Sequence, residues 1–319
     1  MNTLDSTLDA PVDLSAFVAL FDQAEALIHA GEPAVAVRRL EQPLSATARC
    51  VRADKVKFSR LVEAARNHGV FDLVQQDPFT RRAFSKPRGY AGDAVMLDYL
   101  YSGVPPSETS ALGRGIFAAT THSPMGLSVV YRKALLRSFI DDVIARKPDA
   151  RILSVASGHC RELEGSLVES SMFNGEFIAL DQDSLSCDEV RWRQHAMRAN
   201  SRVRVLESSV RALLGNRHTD LGPFDLVYSA GLYDYLDLAV AQKLTSKLGA
   251  LCGPDGRLLI ANFVPNGYSR AYMELFMDWH LIVRDDAEMA ALAGHAGPGN
   301  VRVFRDPHDN VVYAQWRRG

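Results

Sequence analysis

Cysteine is scarce in this 319-residue chain, and Cys50, Cys160, Cys187 and Cys252 stand far apart with no CxxC pair. That spacing argues against a disulfide frame or a thiolate zinc site, and it fits reduced thiols in the cytoplasm. An excess of either charge is missing too: 36 Lys and Arg stand against 38 Asp and Glu, a net charge of -2. Without a basic field, neither nucleic acid nor an anionic lipid surface is expected as a partner. No stretch approaches the ~20 apolar residues that a membrane helix needs. Met1 to Pro11 is polar and acidic, without a basic start and apolar core, so the expectation is a protein neither exported nor membrane-spanning. Internal repeats and low-complexity tracts are absent as well. A cytoplasmic protein acting on a small molecule is the class these absences leave.

What is present is an apolar fraction of 47% with 23% charged residues, enough for a sizeable core. In the first half the apolar positions recur at helical spacing. Leu14, Phe17, Val18, Leu20, Phe21, Ala24, Leu27 and Ile28 predict one helix, Gly31 breaks it, and Ala34 to Leu40 predicts a second. Further helices are predicted over 54–67, 71–75, 96–101 and 124–147. Phe84 to Asp93 is a loop by its proline and two glycines, yet it carries Lys86, Arg88, Tyr90 and Asp93. It reads either as a turn with solvated charges or as a lid over a ligand. After Ala150 the pattern changes. Apolar runs at 152–156, 177–180, 203–206, 224–228 and 257–263 alternate with helical segments, which predicts a parallel sheet wrapped by helices. A helix is predicted over 268–292, and 301–304 with 310–316 reads as an antiparallel pair at the sheet edge. The expected division is therefore a helical domain, 1–150, and an α/β domain, 151–319.

The richest stretch runs from Arg151 to Glu162, where a buried strand enters a tight turn at Gly158 and a helix is expected to follow. The helix would offer free N–H groups and a positive end to a carboxylate. The next strand ends at Asp181, roughly twenty residues on, the separation at which a carboxylate reaches the ribose of a ligand lying over the first turn. Dinucleotide enzymes favour three glycines there, whereas this turn has Ala156, Gly158 and Cys160, which argues against NAD. His159 and Cys160 lack a third ligand at metal spacing, so no metal is expected. Arg161 is either an ion-pair partner of Glu162 or a two-pronged clamp for a ligand carboxylate. Asp183 is a helix cap before it is a second ribose contact. Ser208 or Ser209, with Val210, follows the third strand, where main-chain groups could hold an adenine edge. The fourth strand ends in Tyr228-Ser-Ala-Gly-Leu-Tyr-Asp-Tyr-Leu236, and the fifth in Ala261-Asn262-Phe263. Tyr228, Tyr233, Asp234 and Asn262 thus stand at the carboxyl edge, where α/β enzymes place their chemistry; one or two of the tyrosines are expected in the core. Tyr268, Tyr272, Phe276 and Trp279 share one helical face and read as core.

Together, the first turn, the acid ending the second strand, the Tyr228–Leu236 segment and the Gly253-Pro-Asp-Gly256 approach to the fifth strand resemble a class I S-adenosylmethionine (SAM) methyltransferase. More narrowly, Lys86-Pro-Arg-Gly-Tyr-Ala-Gly-Asp93, Ser229-Ala-Gly-Leu-Tyr-Asp-Tyr-Leu236, Ala261-Asn-Phe263 and Tyr272-Met-Glu274 through Asp278-Trp279 resemble a bacterial subfamily. Its members make 3-hydroxy fatty acid methyl ester signals or, as azetidine-2-carboxylate synthases, serve nonribosomal peptide pathways. The resemblance covers about Pro78 to Ala293 and departs from the family in keeping only the central glycine of GxGxG. It implies a Rossmann-like sheet under an all-helical N-terminal cover, with SAM as substrate or methyl donor. It also implies cofactor contacts from Ser157, Gly158, Arg161, Asp181, Gln182, Ser209, Val210, Ser229 and Arg88. Arg161 or Arg88 would clamp the methionyl carboxylate, Tyr228, Tyr233 or Tyr90 would face the sulfonium, and Asp234 or Asn262 would meet the amine. The leading expectation is cyclisation of SAM to azetidine-2-carboxylate and methylthioadenosine. Methylation of the carboxylate or hydroxyl of a small hydroxy or fatty acid comes next, then SAM binding without turnover. The expected partner is a small-molecule substrate, with a homodimer left open.

Overall fold

The computed structural model describes residues 13–196, 202–215, 217–218 and 220–319; the expected loose tail over 1–12 lies outside them. Eight helices come first: α1 (Ser15–His29), α2 (Pro33–Ala48), α3 (Lys55–Asn67), α4 (Gly69–Val74), α5 (Pro78–Ser85), α6 (Ala94–Ser102), α7 (Ala111–Thr121) and α8 (Pro124–Arg146). Strands and helices then alternate through β1 (Arg151–Val155), β2 (Glu176–Asp181), α9 (Ser184–Ala196), β3 (Val203–Glu207), α10 (Val210–Leu214) and β4 (Phe224–Ser229). The chain continues with α11 (Leu238–Leu251), β5 (Cys252–Phe263), α12 (Arg270–Phe276), α13 (Asp286–Gly294), β6 (Gly299–Arg305) and β7 (Val311–Arg318). Among the described residues, no helix is long and apolar enough to cross a membrane.

These elements gather into two compact units, each drawing on both sides of residue 150. One holds the chain up to Ala91 with Gly103–Ser123 and Tyr268–His280; the other holds Gly92–Ser102, Pro124–Gly267 and Leu281–Gly319. The first is all helical. In it α1 buries Phe17, Phe21, Ala24 and Ile28, three or four residues apart, and α2 buries Val37, Leu40 and Leu44. Helix α12 packs on α2 and α3, with Phe276 edge-on to Phe21 at 6.0 Å between ring centres. Helix α5, not anticipated above, begins on a readable signal: the Asp77 carboxylate accepts from the N–H groups of Phe79 at 2.9 Å and Thr80 at 3.2 Å, and Pro78 takes the first helical position. Helix α7 was missed for want of an apolar stripe strong enough to stand out beside its Gly113 and Gly115.

The helix predicted over 268–292 is two helices. Helix α12 stops at Phe276, Asp278 takes a left-handed conformation (φ 47°), and α13 begins eight residues later with Asp285 and Glu288 closing a capping box. Between them the edge of the sheet captures the backbone: Ile282 N–H donates to the Asp234 carbonyl at 2.8 Å and Arg284 N–H to the Phe263 carbonyl at 3.0 Å. Apolar spacing alone could not reveal those tertiary bonds.

The second unit is built on a seven-stranded sheet in the order β3-β2-β1-β4-β5-β7-β6. Strands β1 to β5 are parallel, while β7 runs antiparallel between β5 and β6. The β6–β7 turn is held by Asp306, whose carboxylate accepts from Asn310 N–H at 2.8 Å and Val311 N–H at 2.7 Å. One face of the sheet presents Leu153, Val155, Ile178, Val227, Leu258, Ile260 and Trp316 to Leu244 and Leu248 of α11 and Met289 and Leu292 of α13. Each such aliphatic side chain contributes roughly 1.5–3 kcal/mol on burial. The alternate residues Ile152, Leu226 and Leu259 are buried on the other face, where α8 lies against β4. That sandwich brings the carboxyl ends of β1 and β4 side by side.

Candidate functional site

Strand β1 ends at Val155, and the turn after it holds three alternate residues in the left-handed region: Ala156 (φ 56°), Gly158 (φ 53°) and Cys160 (φ 49°). Glycine adopts this conformation freely, while a residue with a Cβ does so at about 1–2 kcal/mol. The turn therefore holds a backbone conformation that suits glycine at three positions with a glycine at one of them. A Cβ on Gly158 would also come within 3.3 Å of the Ala94 Cβ. Gly158 N–H donates to one Asp181 carboxylate oxygen at 2.7 Å, and Asp183 N–H donates to the other at 2.9 Å. The acid ending β2 is thus tied to the turn ending β1. Burial raises the Asp181 pKa above the usual carboxylate value, against the pull of those N–H groups. Asp183 caps α9, accepting from Leu185 N–H at 3.2 Å and the Ser186 hydroxyl at 2.7 Å.

Beside the turn, the carboxyl ends of β1 and β4 carry a buried polar cluster. The Tyr228 hydroxyl donates to Glu162 Oε1 at 2.6 Å, and burial drives both groups above their ordinary pKa values. Arg132 enters from the buried face of α8, 5% exposed, with Nη1 donating to the Ala230 carbonyl at 2.6 Å and a bond to the Tyr101 side chain. Asp234 accepts from Phe263 N–H at 2.7 Å; burial pushes its pKa up to about 6, opposed by that N–H and by Arg132 and Arg284. The two buried carboxyl groups thus have Arg132 as a common neighbour.

No family model matches the chain, and no curated protein does. Solved structures match. A possible exported protein from Bordetella parapertussis shares 18% identity over 71% of this chain and 79% of its own, with a TM-score of 0.60. A candidate O-methyltransferase from Nostoc punctiforme PCC 73102 shares 16% identity over 97% of this chain and 100% of its own, with a TM-score of 0.50. The fold is that of the class I methyltransferases. It differs from the dinucleotide-binding order 3-2-1-4-5-6 by the reversed strand β7 set between β5 and β6. In such a methyltransferase sheet the connections reverse direction between β1 and β4, and ligands bind in the crevice at that reversal.

Several expected site residues have other work here. The helix expected after Gly158 is one 3-10 turn, Arg161–Leu163, between left-handed Cys160 and Gly165. Of the two readings of Arg161, the structure shows an ion pair, and its partner is Asp98 rather than Glu162. Nε donates to Oδ1 at 2.7 Å, Nη2 donates to Oδ2 at 2.6 Å, and Nη2 also reaches Glu189 at 2.9 Å. Against the effect of burial, Arg161 and His159 hold the Asp98 pKa down at about 2. Tyr233 is a core residue, its hydroxyl bonded to Thr245 at 3.0 Å. Asn262 is a splint: its amide donates to the Ile282 carbonyl at 2.8 Å and its oxygen accepts from Arg284 at 2.6 Å. Ser229 is fully buried and donates to the Val155 carbonyl at 3.0 Å. Ser209 caps α10 through Ala212 N–H at 3.1 Å, and Val210 packs on the core. Ser157 is half-buried on the turn and Gln182 is exposed beside Asp181. Arg88 and Tyr90 are half-buried on the loop after α5, within the helical unit. The sequence reading passed over Arg132 and Tyr101. Arg132 had a signal, an arginine on the stripe Val129, Leu136, Ile140 and Val143 of α8. Among the described residues, no group of three or more His, Cys, Asp or Glu could hold a metal ion.

Proposed function

We propose that this chain binds SAM at the turn after β1 and cyclises it. The observation that carries the reading is the left-handed turn of Ala156, Gly158 and Cys160, tied by the Gly158 N–H to Asp181. Such a turn lets a nucleoside approach the backbone, and the remaining lone pairs of Asp181 are available to ribose hydroxyls. The neighbouring cluster favours a cationic methionyl arm. Glu162 and Asp234 are two buried carboxyls, while Arg161 is already paired with Asp98 and Glu189. An amine would be held there and relieved of its proton by a carboxylate whose proton affinity burial has raised.

In the reaction the deprotonated amine attacks Cγ, the S–Cγ bond breaks, and its electron pair leaves with sulfur. Azetidine-2-carboxylate and methylthioadenosine result, with one proton released. Fixing the arm in a folded conformation supplies most of the acceleration, because nucleophile and leaving group belong to one molecule. Incubation of the purified protein with SAM alone, followed by mass spectrometry, is the test. The expected products are azetidine-2-carboxylate and methylthioadenosine in equal amounts, above the spontaneous breakdown of SAM. Intact SAM, with S-adenosylhomocysteine appearing once carboxylic acids are added, would replace cyclisation by methyl transfer. Binding of SAM without either product would leave a ligand-binding protein.

A further inference from the structure

Tyr313 is fully buried on β7, opposite Ala261 of β5, and its hydroxyl has no hydrogen-bond partner. Orphaned buried hydroxyls are uncommon, because each forfeits the hydrogen bonds water gave it. Its ring stacks on Phe304 at 5.2 Å, which fixes its direction. Of the charged groups around this hydroxyl, Arg132 acts on it most strongly; Asp306 opposes it but is spent on the Ser128 hydroxyl and the N–H groups of Asn310 and Val311, and Tyr101 belongs to the same neighbourhood. Arg132 has more N–H donors than the Ala230 carbonyl and Tyr101 can use. Ser229 pairs with Ile260 and Ile260 with Ala314, so Ala230, which holds Arg132, stands level with Tyr313 at the carboxyl edge of the sheet. Arg132 also acts on Glu162 and Asp234.

We propose that Arg132, Tyr101 and Tyr313 form the seat for the carboxylate of an α-amino acid, whose ammonium group is held by Glu162 and Asp234. Donors from one arginine and two hydroxyls suit the two oxygens of a carboxylate, and the flanking carboxyls suit the ammonium one carbon away. The charges complete each other: an ionic cluster short of donors' partners on one side and rich in acceptors on the other matches a zwitterion. The inference rests on the SAM reading, which makes the methionyl arm that zwitterion. Arg132 then takes the role the sequence suggested for Arg161 or Arg88.

Calorimetric titration with three ligands tests it: SAM, decarboxylated SAM, which lacks only the carboxylate, and methylthioadenosine, which lacks the arm's amino acid. The wild-type protein should bind SAM about tenfold or more tightly than decarboxylated SAM. Tyr313→Phe should weaken SAM about fivefold and leave decarboxylated SAM unchanged. It should also melt no lower than wild type without ligand, since the hydroxyl makes no bond in the free protein. Arg132→Lys should erase most of the preference for the carboxylate. Equal losses for both sulfonium ligands in Tyr313→Phe, or no loss for SAM, would overturn the seat. If methylthioadenosine still binds in that case, the cofactor reading stands without it. A wild-type protein that binds none of the three overturns the cofactor reading and this inference together.

Discussion

Ala156 and Cys160 hold a left-handed backbone that glycine would hold without strain, so part of the turn's conformation is maintained by its surroundings. Ala156→Gly should raise stability by up to about 1 kcal/mol, read from urea unfolding, because relief of strain exceeds the added freedom of the unfolded chain. Cys160→Gly should gain less, since it also removes a buried side chain. At the acid that ends β2, Asp181→Asn should weaken SAM binding at least about tenfold, while Asp183→Ala should cost about 1 kcal/mol of stability through its lost cap and leave SAM affinity nearly intact. Calorimetric titration beside a thermal melt separates the two, and equal loss of affinity would dissolve the ribose assignment. Tyr228→Phe leaves Glu162 buried without its hydroxyl donor, a loss of about 1–3 kcal/mol near neutral pH. The Glu162 pKa is raised in the folded protein, so its carboxyl is neutral in both states well below its ordinary value. The destabilisation should therefore be small in acid and grow as pH rises, which paired melts would reveal.

Helices α2 and α12 show how the same physics acts between elements. Glu41 on α2 is buried, accepts from the Ser269 hydroxyl at 2.7 Å just ahead of α12, and has its pKa pushed by burial from 4.5 up to about 7. Below pH 4.5 both folded and unfolded chains keep this proton. Between there and about 7 only the unfolded chain releases it, so stability falls as pH rises and levels off above about 7. Glu41→Gln mimics the protonated form and should remove this slope, leaving the variant on the order of 3 kcal/mol better off at alkaline than at acid pH relative to wild type. A pH series of thermal melts checks it; parallel profiles would show that Glu41 ionises freely. Helix α5 could be read from Asp77 and Pro78, because a cap is local chemistry. The break between α12 and α13 could not, because bonds from Ile282 and Arg284 to distant strand ends decide it.

At the scale of the molecule the chain crosses between its two units more than once. The change of pattern near Ala150 marks where the sheet begins, but α6 and α8 belong with the sheet, and α12 belongs with the first helices. A chain severed at 150 should therefore fail on both sides. The fragment from Arg151 lacks α8 over Ile152, Leu226 and Leu259, and the fragment ending at Ala150 lacks α12 against α2 and α3. Neither fragment alone should show dispersed amide resonances; a well-ordered 151–319 fragment would refute this.

By itself the sequence determined the alternation of strands and helices, the antiparallel pair at the edge, the Gly158 turn and the acid ending the next strand. Each of these rests on residues close together in the chain, through periodicity, backbone freedom or a cap. The tertiary structure alone decided which polar side chains are committed to the framework. Arg161 meets Asp98 across 63 residues and Arg132 meets Ala230 across 98, and such pairings follow from how helices pack on the sheet. Burial then settled their chemistry, since a carboxyl such as Asp234 has its proton affinity raised only when folding takes water away from it.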